Sequence, residues 1–131
     1  MGSFLDVFGA QRRQAPRVAV ALPVEIGPPQ TQLRSVYQSC DVSRWGLRLQ
    51  GGSAEEFRAL LSDEGRVVLL VCLPGREDRL ESEAELRWGL RGEAHFVSGW
   101  RFTRIAHAAQ QALDEYIAAH PEQVVHEPRW G

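Results

Sequence analysis

The stretch Arg17 to Ile26 restricts the fold more than any other: its even positions, Val18, Val20, Leu22, Val24 and Ile26, are all apolar. A period of two is what a half-buried strand needs, whereas a helix would scatter these residues around its circumference. One face of this first strand is therefore core. Immediately upstream runs Arg12-Arg13-Gln14-Ala15-Pro16, so that Arg12, Arg13 and Arg17 follow one another with no carboxylate between them. Pro16 disfavours helix at Ala15 and at itself, which predicts an extended basic arm leading into the strand. Such an arm is suited to clamping an anion.

The rest of the chain continues the strand theme. Gly27-Pro28-Pro29-Gln30 predicts a turn, because neither proline can donate to a ladder, and a returning antiparallel strand follows over about Gln32 to Cys40. Asp41 to Gly46 reads as a tight connection, with Gly46 supplying a backbone angle closed to other residues, and Leu47 to Gln50 as the third strand. Ser53-Ala54-Glu55-Glu56 has the form of a capping box and predicts a short helix near 54–62. Val67 to Leu73 is a continuous apolar run, the most buried strand. Leu80, Ser82, Ala84, Leu86 and Trp88 alternate with Glu81, Glu83, Glu85 and Arg87, a strand whose outer face is acidic. A turn over Gly89 to Gly92 leads to a last strand, His95 to Thr103, in which Gly99 marks a bulge or a close approach. Six strands joined by hairpin-length links predict a mainly β fold, a small antiparallel barrel or closed sandwich. Ala109, Ala112, Leu113, Tyr116 and Ile117 keep helical spacing up to His120-Pro121 and predict one C-terminal helix packed across an open end of the barrel.

Composition narrows the function. At 131 residues the chain suits one domain able to bury a core without disulfides or metal. A formal net charge of −2 argues against a general nucleic-acid coat protein, whose affinity comes from many phosphate contacts. All 15 basic residues are arginine, so their placement, not their number, must carry any claim of recognition. Cys40 and Cys72 are expected as buried thiols, too few for a zinc site, and His95, His107, His120 and His126 lack ligand spacing. Phe4, Leu5, Val7 and Phe8 form neither a secretory signal nor a membrane span, which predicts a cytoplasmic protein. No catalytic set converges, and Glu81, Glu83 and Glu85 line one strand face, not a cleft, so the reading is not an enzyme.

If the first two strands form a hairpin, the arginines before the first and Asp41, Ser43 and Gly46 after the second meet. Arginine donates bidentately to phosphate and to the O6 and N7 edge of guanine, and a carboxylate accepts from guanine N1–H and N2–H. A phosphorylated guanine compound meets both demands. Ser43 adds a hydroxyl, and Gly46 lets the ligand approach the main chain. For each group there is a plainer reading, a solvated basic arm on one side and Asx or ST turn chemistry on the other. For Trp88, Trp100 and Phe102 the plainer reading is burial in the core or at the barrel rim.

R-Q-A-P-R at 13–17 followed by D-V-S-R-W-G at 41–46 resembles the R-x-x-x-R and D/N-x-S-x-x-G pair of PilZ domains, bacterial receptors for cyclic di-GMP. The resemblance runs over about residues 10–119 and includes G-L-R-L after the second motif and G-W-R-F at 99–102. It implies a six-stranded PilZ-type barrel with a short helix after the third strand and a closing helix. The domain would occupy 12–119, between an N-terminal arm (1–11) and a C-terminal tail (120–131). It implies that Arg13 and Arg17 grip phosphates and guanine, that Asp41, Ser43 and Gly46 form the other wall, and that Trp88 stacks on a guanine. Arg12, just before the first motif, resembles members that bind an intercalated nucleotide dimer, two molecules per site. The implied function is a cyclic di-GMP receptor whose arm closes over the nucleotide and changes a surface that an effector protein reads. The alternative is a PilZ-like adaptor with weak or no nucleotide binding, in which Phe4, Leu5, Phe8, Val124, Val125 and Trp130 are exposed and serve as the functional surface or a homodimer interface.

Overall fold

The computed structural model describes residues 16–124, which form strands β1 (Arg17–Ala19), β2 (Pro23–Gly27), β3 (Ser35–Ser43), β4 (Gly46–Gln50), β5 (Arg66–Val71), β6 (Leu80–Arg91) and β7 (Phe96–Ile105). Helix α1 (Ala54–Leu60) sits between β4 and β5, and α2 (His107–Ala119) follows β7, ending in a short 3₁₀ turn at Pro121–Gln123. All strand pairings are antiparallel. The order β2-β5-β6-β7-β4-β3 closes on itself through β3 and β2, giving a six-stranded barrel, with β1 laid on the far end of β3.

The predicted first strand is thus two pieces, β1 and β2, and the break is made by a side chain of β3. The Ser39 hydroxyl, fully buried, accepts from Leu22 N at 2.9 Å and donates to the Val20 carbonyl at 2.5 Å, replacing ladder bonds between the pieces. The alternation survives it, because Val18, Leu22, Val24 and Ile26 all face the core. The connection predicted at Asp41 to Gly46 shrinks to Arg44 and Trp45, since pairing with β1 extends β3 through Ser43. Gly89, Leu90 and Arg91 belong to β6 and not to a turn, and the reversal lies at Gly92, whose N–H donates to the His95 carbonyl at 2.9 Å.

The interior is filled by the apolar residues of β5 (Val67, Leu69, Val71) with Val42, Leu47, Leu49, Ala84 and Trp100. Ser53 caps α1 by accepting from Glu56 N at 3.1 Å, and the helix inserts Phe57 among Tyr37, Phe96 and Trp100, with ring centroids 5.0, 6.0 and 5.3 Å away. α2 contributes Ala109, Ala112, Leu113 and Ile117 to the core and touches β3 and β6, which lie across the ring from each other, so it spans the barrel. Val124, expected among exposed tail residues, is half-buried: it bridges Val18 and packs on the core. Cys40 and Cys72 are also only half-buried, Cys40 at a break in the β3–β4 register and Cys72 just past β5. Burial, the nearby Asp41 charge opposed by Arg48, pushes the Cys40 thiol up. No helix among the described residues is long and apolar enough to cross a membrane.

Candidate functional site

Strand register builds the site. Residues directly opposite in neighbouring strands point to the same face of a sheet. On the outer face of the barrel one such row runs Ala19, Asp41, Arg48, Gly99, Trp88, across β1, β3, β4, β7 and β6. Two residues along β1, β3, β4 and β7, and three along β6 where the register shifts, a second row on that face holds Arg17 opposite Ser43, and Gly46 opposite Arg101, which in turn faces Glu85. Arg17, Asp41, Ser43 and Gly46, separated in sequence, therefore share one patch. Arg12 and Arg13 lie outside the described residues.

Asp41 is the centre. It is 2% exposed, and both carboxylate oxygens are occupied. Arg17 Nη1 donates to Oδ1 at 3.0 Å, while Arg48 donates to Oδ2 through Nε at 2.7 Å and also through Nη2. The two arginine side chains keep 28% and 24% of their surface in solvent, so the cluster is a buried anion under two partly wet cations. Arg48 is the residue that sequence reasoning missed. Its signal was present in the quoted G-L-R-L: residues 46, 48 and 50 of an alternating strand point outward.

Ser43 has a turn role: its hydroxyl accepts from Trp45 N at 3.2 Å and donates to the Gly46 carbonyl at 3.4 Å. Gly46 does not have the positive φ that the sequence suggested. A Cβ there would lie 2.0 Å from the Trp100 carbonyl oxygen, so what it requires is room where β4 meets β7. In the turn itself, Arg44 lies over the Trp45 ring at 5.4 Å and pairs with Asp114 of α2 at 3.5 Å, tying the motif to the closing helix.

Trp88 departs from the expected alternation. The register shifts between Leu86 and Trp88, so Leu86 stays opposite Trp100 while Trp88 turns to the outer face, opposite Gly99. It is 42% exposed, against 3% for Trp100. A Cβ at Gly99 would meet the Trp88 indole at 2.4 Å, so the ring lies against the bare main chain of β7, one strand from Arg48. The burial reading fits Trp100; Phe102 is half-buried, and Trp88 forms part of the patch.

A PilZ domain model matches residues 11–119. This chain belongs to the PilZ family. The PilZ domain of YcgR from Escherichia coli, solved with cyclic di-GMP, superposes with a TM-score of 0.57 at 14% identity, covering 86% of this chain and 93% of that one. The Bacillus subtilis inhibitor of motility MotI/DgrA gives a TM-score of 0.66 at 24% identity, covering 86% of this chain and 52% of its own, so this PilZ chain spans about half of that relative. PlzA of Borreliella burgdorferi, in complex with cyclic di-GMP, gives 0.54 at 12% identity over 96% of this chain and 60% of that one. At these identities the likeness is one of fold. No curated protein matches the chain.

A separate cavity of about 440 Å³ lies among Pro28, Thr31, Ser62, Asp63, Arg66 and Glu83 and shares no residue with this patch. No group of three or more His, Cys, Asp or Glu among the described residues could hold a metal ion.

Proposed function

We propose that this PilZ domain is a receptor for cyclic di-GMP and not an enzyme, with Arg17, Asp41, Ser43, Gly46 and Trp88 forming its described wall and Arg12 and Arg13 completing it from the arm. The observation that carries the reading is the 3.0 Å contact between Arg17 and Asp41, residues 24 apart in sequence, on the face that also holds Trp88. A guanidinium and a carboxylate side by side match the acceptor and donor edges of guanine, and the same guanidinium can turn to a phosphate. Trp88 offers an aromatic surface on which a base can stack. On binding, Arg17 exchanges Asp41 for the nucleotide and the arm closes over it. Ordering the arm costs conformational entropy, which charge-assisted bonds must exceed. Arg12 points to two nucleotides per site. The closed arm alters the surface beside β1, which an effector protein reads.

One observation favours a rival: both oxygens of Asp41 are already filled, so the cluster is complete without a ligand. The chain would then be a protein-contact adaptor working through the apolar residues of its termini, of which Phe4, Leu5, Phe8, Val125 and Trp130 lie outside the described residues. Titration calorimetry separates the two. The receptor reading expects micromolar or tighter binding of cyclic di-GMP, near two per chain, lost in Arg17→Ala and Asp41→Ala. A folded wild-type protein that gives no heat overturns it, and one ligand per chain overturns the role given to Arg12.

A further inference from the structure

We infer that Arg48 is a positioning residue that holds Asp41 by one oxygen and so leaves the other to be exchanged between Arg17 and the nucleotide. The inference rests on the receptor reading above and adds a division of labour within one carboxylate.

The two arginines hold Asp41 unequally. Arg48 places two donors, Nε and Nη2, on the single oxygen Oδ2, whereas Oδ1 accepts from Nη1 of Arg17. A guanidinium is a planar fork, so two donors from one edge fix the carboxylate's orientation as well as its charge. The backbones differ in the same sense. Arg48 lies inside β4, laddered to β3 on one side and β7 on the other. Arg17 is the first residue of a three-residue strand that pairs with β3 and is bridged to Val124 through Val18. When a nucleotide competes, the one-nitrogen contact on Oδ1 is the one exchanged, and the paired contact on Oδ2 is kept.

Departure of Arg17 would leave a carboxylate that is 2% exposed with less compensation, and a buried charge without a partner is costly. Arg48 removes that cost, because its hold on Oδ2 does not depend on Arg17. Oδ1 then faces the entering base as an acceptor whose direction is already set, flanked across the row by Gly99, which puts no side chain in the way, and by the Trp88 indole. Arg48 thus acts through Asp41 without itself being required to touch the ligand.

The test follows the arginine Nε–H signals of the full ¹⁵N-labelled chain by NMR, assigned with Arg17→Lys and Arg48→Lys, as cyclic di-GMP is added. The Arg17 signal is expected to move on saturation while the Arg48 signal stays in place, and the folded Arg48→Lys protein, which keeps the charge but loses the fork, is expected to bind about tenfold more weakly, the scale of one charge-assisted hydrogen bond. Movement of the Arg48 signal equal to that of Arg17, or wild-type affinity in folded Arg48→Lys, overturns the inference and leaves the receptor reading standing. A spectrum in which no signal responds to nucleotide overturns both.

Discussion

Asp41→Asn isolates the cluster that supports this account. The side chain keeps its shape but loses its charge, and its new amide must turn two hydrogens toward one of the two guanidinium groups that now bond to carboxylate oxygen. Breaking a buried ion pair by removing one partner costs roughly 3–5 kcal/mol when the remaining charge stays dry. Here the stranded arginines retain 28% and 24% exposure and can partly rehydrate, which moves the expected loss to the lower end, about 3 kcal/mol. Urea unfolding of the ligand-free protein should show a lower midpoint with an unchanged slope, and melting should fall by on the order of 10 °C. Arg48→Gln, which removes both donors on Oδ2, should cost more than Arg17→Gln, and each less than Asp41→Asn. An Asp41→Asn protein within about 0.5 kcal/mol of wild type, the range of ordinary surface substitutions, would refute the view that this carboxylate is a buried, doubly held anion.

Three further outcomes are expected. Gly46→Ala puts a methyl group 2.0 Å from the Trp100 carbonyl, a backbone atom that cannot step aside, so overpacking should cost about 3 kcal/mol in urea unfolding. Gly99→Ala meets the Trp88 indole, a half-exposed side chain that can swing away; stability should change by less than about 1 kcal/mol, while calorimetry should show several-fold weaker nucleotide binding through the displaced ring. Burial, helped by the 2.7 Å bond to Glu56 and that residue's charge, pushes Tyr37 up to about 12. The neutral phenol is therefore favoured in the folded state, and stability complete below pH 10 should decline as pH rises from 10 to 12; urea midpoints across that range should lose this slope in Tyr37→Phe.

Much of this was legible in the sequence because strands with one buried face announce themselves. The alternations in 17–26 and 80–86, the apolar run of β5 and the helical spacing of α2 each reappear with most of the expected residues inside, while Val20, Leu70, Leu86 and Tyr116 are half-buried. The meeting of Arg17 with Asp41 also followed from hairpin topology alone. What escaped were consequences of contacts distant in sequence. The split between β1 and β2 depends on the hydroxyl of Ser39, 17 residues from its partner Leu22. The reversal of Trp88 depends on a register shift against β7, which no pattern within β6 reveals. Gly46 was read as a turn glycine because glycine permits unusual angles, whereas its reason is a carbonyl contributed by another strand. Arg48 was hidden by ordinariness: a single charge on the outer face of a strand is usually solvated, and only its register opposite Asp41 marks it.

The nucleotide should bind where Arg17, Asp41 and Trp88 share a face. Backbone amide shifts of the labelled protein on addition of cyclic di-GMP test it most directly. The largest changes are expected at 17–19, 41–46, 88 and 99. Changes concentrated instead at 28–31 and 62–66, around the separate cavity, or no changes at all, would contradict it.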